Sequence, residues 1–159
     1  MLQLLDFFLD ANYQVVFVTT SDKNEHSLHL ETLGVRTEKV VLNCDSFNEF
    51  IVDLKPAIVV FDRFLTEEQF GWRIAEHAPN ALRILDTEDL HSLRNVREEC
   101  YKKKIPFSED IWIQHDKTKR EIASIYRSDI SLIISDFEMV LLTKTLGISQ
   151  DLLMHLPFM

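Results

Sequence analysis

Short apolar segments that alternate with helical patterns are the feature that most restricts the fold of this chain. The strongest is residues 57–61, a continuous apolar run that follows Pro56 and stops at Asp62. Further strands are predicted at residues 15–18, 39–42, 82–85, 130–134 and 152–157. Strands that are apolar throughout, rather than alternating with polar residues, are typical of a parallel sheet covered on both faces. We therefore predict an α/β fold, a Rossmann-like doubly wound parallel sheet with helices on both faces, in a single domain of residues 1–159.

The intervals between these strands carry apolar residues at helical spacing together with helix-capping motifs. Helices are predicted at residues 1–11, 22–33, 46–54, 66–78, 91–102, 118–127 and 137–146. Four capping boxes, each with Glu or Gln three residues after the first, begin at Asp22, Ser46, Thr66 and Ser135. This regular alternation of strands and helices indicates a sheet whose neighbouring strands are joined by helical crossovers.

The chain begins with a predicted helix, although a doubly wound domain normally begins with a strand at the centre of its sheet. The loop after that strand usually carries the glycines that hold phosphate. The three glycines, Gly34, Gly71 and Gly147, do not stand at a predicted strand-to-helix turn, and no GxGxxG or P-loop pattern is present. Either the sheet is built differently, or the first strand and its glycine-rich loop are missing, which is the alternative that we expect. Unpaired sheet edges would then favour self-association.

Charge and composition argue against several classes of function. A net charge of −9 argues against nucleic acid as the main partner. The apolar runs are far shorter than a membrane span, and residues 1–8 lack the basic start of a signal peptide, so a cytoplasmic location is expected. Cys44 and Cys100 lack metal-ligand spacing, so neither a metal nor another cofactor is predicted. A nucleophile elbow is also absent, which argues against a hydrolase.

Acid, imidazole and guanidinium groups are concentrated where the strand at residues 82–85 meets the next helix. Such junctions form the ligand crevice of an open α/β sheet. Asp86, Glu88 and His91 are the candidate catalytic residues, and Arg94 is a candidate substrate contact. Because His91 lies beside three carboxylates in sequence, we expect its pKa to be raised.

Polar residues also follow two other predicted strands, and parallel strands bring such positions to one edge of the sheet. Asp62 and Arg63 could pair with each other, cap the turn or bind substrate, and the structural role is favoured. Ser135 and Glu138 match a capping box, which is favoured over a role in substrate binding. We keep all four as candidate substrate-binding residues.

Three segments together resemble a known family. They are DTEDLHSLR at residues 86–94 (with Arg97 after it), EIASIYRSD at 121–129 and ISDFE at 134–138. Their order resembles the N-terminal half of GT-B glycosyltransferases of the group 1, family 4-like type. In that family an acid- and His-containing segment follows a strand, a helix bearing a Glu leads into a strand, and an S-x-x-E motif follows.

The resemblance implies transfer of a sugar from a nucleotide-sugar donor to a carbohydrate or other acceptor. It implies that Asp86, Glu88 and His91 lie near the acceptor and the reacting sugar, with Ser135 and Glu138 at the edge of the cleft. The family's glycine-rich loop and its C-terminal domain, which binds most of the donor, have no counterpart in these residues. We therefore expect these 159 residues alone not to transfer sugar.

Two other interpretations stay open at this point. A non-catalytic binding or regulatory module, flavodoxin- or receiver-like, could use Asp62 or Asp86 as a magnesium or phosphoacceptor site. The acidic pair and the Lys that a receiver places after its first and last strands are absent from residues 19–22 and 135–136. A degenerate fragment that only binds a partner is the third interpretation.

Overall fold

The computed structural model describes residues 2–22 and 28–157, which form two compact units divided after Asp53. The first unit contains helix α1 (Leu2–Asp10), strand β1 (Val16–Thr19), a 3-10 turn (Leu30–Leu33), strand β2 (Arg36–Lys39) and helix α2 (Ser46–Leu54). β1 and β2 form a two-stranded parallel sheet with Val16 opposite Arg36. Leu5, Leu30 and Val35 form one buried hydrophobic cluster of this unit.

The structure corrects two predictions in this unit. Residues 23–27 of the helix predicted at residues 22–33 lie outside the described residues, and the described part of that segment is helical only at the 3-10 turn Leu30–Leu33. The strand predicted at 39–42 lies at Arg36–Lys39, because Arg36 donates its N–H to Val15 and Val40 donates to Thr19. Gly34, with a φ of 83°, ends the turn directly before this strand. Edge strands tolerate polar residues. The apolar residues at 40–42 therefore did not mark the position of this strand.

The second unit begins at Leu54 and contains a four-stranded parallel sheet. Its strands are β3 (Ile58–Asp62), β4 (Leu82–Asp86), β5 (Ile130–Ile133) and β6 (Leu153–His155), paired in that order. The helices are α3 (Arg63–His77), α4 (His91–Lys103), α5 (Glu109–Gln114), α6 (Asp116–Arg127) and α7 (Asp136–Val140), which continues into a π-helical turn at Leu141–Thr145. The predicted α/β class, a parallel sheet flanked by helices, is confirmed.

The two faces of this sheet differ in exposure. Neighbouring side chains on a strand point to opposite faces. One face carries Phe61, Leu85 and Ile133, which are at most 2% exposed. The other carries an aliphatic set that is half-buried or exposed, apart from buried Leu132: Ile58, Val60, Leu82, Ile84, Ile130, Leu132 and Met154. The face that carries Phe61, Leu85 and Ile133 is therefore the one that the rest of the protein covers more completely.

Helix α5 was not predicted from the sequence. Its N-cap Ser108 accepts a hydrogen bond from the N–H of Ile111 at 3.3 Å. It carries Trp112, which is completely buried and donates its indole N–H to the Ser92 hydroxyl at 2.9 Å. This contact fixes α5 against the first turn of α4, which is the helix that begins at the candidate site.

Candidate functional site

Two adjacent strands of the four-stranded sheet end in aspartates that lie opposite each other, Asp62 on β3 and Asp86 on β4. A residue with left-handed backbone follows each strand: Arg63 has a φ of 67° and Glu88 a φ of 57°. Non-glycine residues in this conformation cost free energy and are concentrated at functional sites. The Nε of Arg63 lies 3.7 Å from the Oε2 of Glu88, so the two strained turns are in contact.

Asp62 and Arg63 pair with each other, which is one of the structural roles that the sequence favoured over substrate binding. The Arg63 Nε and Nη2 donate to the two carboxylate oxygens of Asp62 at 3.2 and 3.0 Å. This hydrogen bonding is the main reason that the pKa of Arg63 is raised, and Glu88 adds to it. Both side chains are partly exposed, which leaves part of the guanidinium accessible to a ligand.

Asp86 has a local structural role that the sequence did not reveal. Its side chain is buried, and its Oδ1 accepts a hydrogen bond from the N–H of Glu88 at 3.2 Å. Thr87, also buried, donates its hydroxyl to the Leu132 carbonyl at 2.7 Å. Asp86 therefore shapes the turn that positions the side chains after β4.

Asp89, His91 and Arg94 form the polar cluster at the start of α4. Asp89 places Oδ1 3.1 Å from the Nε2 of His91 and Oδ2 3.2 Å from the Nη1 of Arg94. Arg94 Nη2 lies 3.1 Å from the Nδ1 of His91. Because arginine can only donate, Nδ1 is the acceptor, and a neutral His91 carries its proton on Nε2. That Nε2 is buried and lacks an aligned hydrogen-bond acceptor among the described residues.

The pKa of His91 is lowered, contrary to the prediction from its neighbours in sequence. Burial of the ring is the largest cause. The negative charge of Asp89 opposes it, while the positive charges of Arg94 and Arg63 lower the pKa further. His91 is therefore a neutral base at neutral pH rather than a cation.

Two carboxylates from other helices, Glu121 and Glu138, cap the first turn of α4, and we call them the capping carboxylates. Glu121 on α6 accepts from the N–H groups of His91 at 2.9 Å and Ser92 at 3.0 Å. Glu138 on α7 accepts from the N–H of Leu90 at 2.9 Å. The N-cap of α4 is Leu90, and it supplies no side-chain cap of its own.

Burial sets the protonation of the capping carboxylates. Glu121 is 1% exposed, and desolvation raises its pKa to about 7 despite the hydrogen bonds that it accepts. Burial also raises the pKa of Glu138, whose Oε2 has no hydrogen-bond partner among the described residues. Glu121 was not among the site residues predicted from the sequence. Its signal was helical spacing, because Thr118, Glu121 and Ile125 share one buried face of α6.

The predicted capping box at Ser135 and Glu138 is absent. Ser135 is the N-cap of α7, but its side chain accepts no capping hydrogen bond. Glu138 bonds to Leu90, which is 48 residues away in sequence, instead of reaching back to the start of its own helix. The three-residue spacing was correct for the helix start, but tertiary packing redirected the carboxylate.

The structure thus brings together Asp62, Arg63, Glu88, Asp89, His91 and Arg94, which we call the strand-end cluster. Electrostatic interactions link its two halves, since Arg63 is affected by Glu88 and Asp89 and also acts on His91. Asp86 stabilises the turn that carries Glu88 by accepting a hydrogen bond from the Glu88 N–H. Chemically, the cluster offers a neutral imidazole, carboxylate acceptors and two partly exposed guanidinium groups.

Within residues 2–22 and 28–157, no group of three or more His, Cys, Asp or Glu side chains could hold a metal ion. No helix in this part of the chain is long and apolar enough to cross a membrane. Comparison with known protein families, curated proteins and solved structures found no match to the chain.

Proposed function

We propose that this chain is the acceptor-side domain of a GT-B glycosyltransferase and that the strand-end cluster binds a carbohydrate acceptor. The observation that supports this most directly is the grouping of Arg63, Glu88 and His91 at the ends of two adjacent parallel strands. Carboxylates and guanidinium groups suit sugar hydroxyls, because they accept and donate paired hydrogen bonds. The carboxyl edge of an open α/β sheet is also where such folds bind ligands.

The proposed catalytic group is His91, acting as a general base toward an acceptor hydroxyl. Its lowered pKa keeps the imidazole neutral, and its Nδ1 holds the lone pair. The exposed side chain of Arg94, which now donates to Nδ1, is the group that an incoming hydroxyl would displace. Asp86 and Glu138 act through backbone amides of the turn and of α4, and Ser135 stays a predicted contact at the edge of the cleft.

The donor in this proposal is a nucleotide sugar that is bound mainly by a second domain. We propose a cytoplasmic location for the protein. The amides at the start of α4 are bonded to Glu121 and Glu138, so they are not free to hold the diphosphate. We therefore expect the chain by itself to show neither sugar transfer nor donor hydrolysis. Turnover by these 159 residues, measured as release of the free nucleotide, would contradict that expectation.

Titration of the labelled protein with sugars, followed by amide chemical shifts, tests the proposal. Monosaccharides and nucleotide sugars at millimolar concentration should shift the amides of residues 62–63 and 86–94. His91→Gln should reduce these shifts. The matched variant His77→Gln, at the last residue of α3, should retain them. If every sugar leaves those amides unchanged, the proposed acceptor site is wrong.

A non-catalytic α/β binding module is the second candidate. The capping carboxylates favour it, because a helix start already bonded to protein side chains is not available for phosphate chemistry. The same titration separates the two candidates. Sugars that shift residues 62–63 and 86–94 in a His91-dependent manner support the glycosyltransferase domain. Shifts that are unchanged in His91→Gln support simple binding.

A further inference from the structure

The outer edge of strand β3, on the side away from β4, is suited to an interaction that is independent of the proposed function. β3 pairs with β4 on one side and with no other strand in the described part of the chain. Its residues 58–61 are all apolar, and neither proline nor charge interrupts them. Exposed edges of this kind pair readily with another strand unless charge, proline, a bulge or short length prevents it.

Two of the other outer strands of the two sheets carry such protection, whereas β1, with the four residues VFVT, carries neither charge nor proline. β2 has the sequence RTEK, in which three of four residues are charged. β6 has only three residues. β3, with five residues, is the longest outer strand, and its one charged residue is Asp62 at its end. The contrast within one chain indicates that the edge of β3 is suited to accept a partner.

Hydrogen bonding to β4 shows which backbone groups of β3 face outward. The N–H of Leu82 donates to the Ala57 carbonyl at 2.9 Å, so the backbone groups of Ala57 point toward β4. Because backbone groups in a parallel strand alternate in direction, Val59 and Phe61 also bond to β4. Ile58 and Val60 therefore direct their N–H and C=O groups away from the sheet.

We propose that two copies of this chain form a two-fold symmetric dimer by antiparallel pairing of β3 with β3. Val59 lies on the symmetry axis, and Ile58 of one copy lies opposite Val60 of the other. This register satisfies both N–H and both C=O groups of Ile58 and Val60 in each copy, through four hydrogen bonds between the chains. A two-fold interface of this type uses the same surface twice and closes on itself.

A second copy is the occupant because this edge is complementary to itself in hydrogen bonding and is uncharged between residues 57 and 61. In the proposed register, residues 57–61 face only one another, and Asp62 lies opposite Pro56, so no like charges meet between residues 56 and 62. The pairing also joins the half-buried aliphatic faces of the two sheets, which carry Ile58 and Val60, into one continuous surface. The dimer is an eight-stranded sheet, four strands from each copy.

Matched proline variants test the pairing. Val60→Pro removes an outward N–H and leaves the β3–β4 hydrogen bonds intact, so the monomer should fold while dimerisation weakens by about 30-fold or more. Val59→Pro removes an N–H directed at β4, so it should lower the unfolding midpoint instead. Sedimentation equilibrium measures the dimer, and urea unfolding at low concentration measures the monomer.

Hydrogen exchange in the unmodified protein gives a second readout that needs no variant. The amides of Ile58 and Val60 should exchange more slowly as protein concentration rises, because dimerisation protects them. A protein that stays monomeric at millimolar concentration would overturn the proposal. So would a dimer in which exchange at Ile58 and Val60 does not depend on concentration, since it would use another surface.

Discussion

Replacing Glu121 with glutamine tests whether a buried carboxylate at the start of α4 makes protein stability depend on pH. Glu121 is 1% exposed and bonds to two backbone amides, and the nearby charge of Asp89 adds to the effect of burial. Its pKa rises from 4.5 to about 7 on folding. Each tenfold change in proton affinity is worth about 1.4 kcal/mol, so the raised pKa corresponds to about 3 kcal/mol of stability.

The sign follows from which state binds the proton more tightly. The folded protein holds the Glu121 proton more tightly than the unfolded chain does, because desolvation disfavours the charged form. This stability is fully present below pH 4.5, the unfolded pKa, and is lost as the pH rises through about 7. The free energy of unfolding should therefore fall by about 3 kcal/mol across that window.

Glutamine at this position removes the titration but introduces a mismatch. Its single carbonyl oxygen can accept from only one of the two amides of His91 and Ser92, and its NH2 group faces the other donor. An unsatisfied buried amide costs about 1–3 kcal/mol, so Glu121→Gln should be less stable than the unmodified protein at pH 5. The difference should shrink or reverse by pH 8. A residual slope is expected from Glu138, whose pKa burial also raises.

Urea unfolding between pH 5 and 8, followed by tryptophan fluorescence, measures these slopes, since Trp112 is fully buried beside α4. Glu76→Gln, on the exposed surface of α3, is the matched control and should keep the slope of the unmodified protein. If Glu121→Gln keeps that slope as well, the argument that Glu121 titrates near neutral pH is refuted.

Two further predictions concern α3 and the strand-end cluster. Gly71→Ala would place a Cβ 2.3 Å from the Oε1 of Glu67, a buried carboxylate that Arg127 holds at 2.9 Å. We expect a loss of about 1–3 kcal/mol in spite of alanine's higher helix propensity, measured by thermal unfolding; an unchanged or raised midpoint would count against it. Asp89→Asn should lower the pKa of His91 further, since Asp89 supplies the main opposing charge, measured by NMR titration of the ring. A pKa that rises instead would show that Asp89 does not act on His91 through its charge.

The sheet of the second unit could be predicted from sequence because its strands are predominantly apolar. Residues 57–61 and 82–85 were placed within one residue of their observed bounds at each end. β2 could not be found in the same way, since its polar residues lie on an edge where solvent replaces a neighbouring strand. Helix α5 was missed because it is a short helix, and only Trp112 gives it a buried side.

The candidate site was predictable in position but not in its hydrogen bonding. The segment from Asp86 to Arg94 was recognised because it follows a buried strand. The capping-box assignment at Ser135 failed because Glu138 instead reaches the start of α4, 48 residues away in sequence, where Glu121 also bonds from 29 to 30 residues away. The protonation of His91 also depended on burial, which local sequence does not report.

The distance in sequence between α4 and its capping carboxylates has a consequence for synthesis on the ribosome. Residues emerge in chain order, so α4 leaves the exit tunnel before Glu121 and Glu138 are available. Until then the first amides of α4 can bond only to water, because a helix start has no partners of its own. The nascent chain therefore gains a fully capped α4 only after α7 has emerged, and a pause in translation before residue 138 would leave the Leu90 amide without its carboxylate.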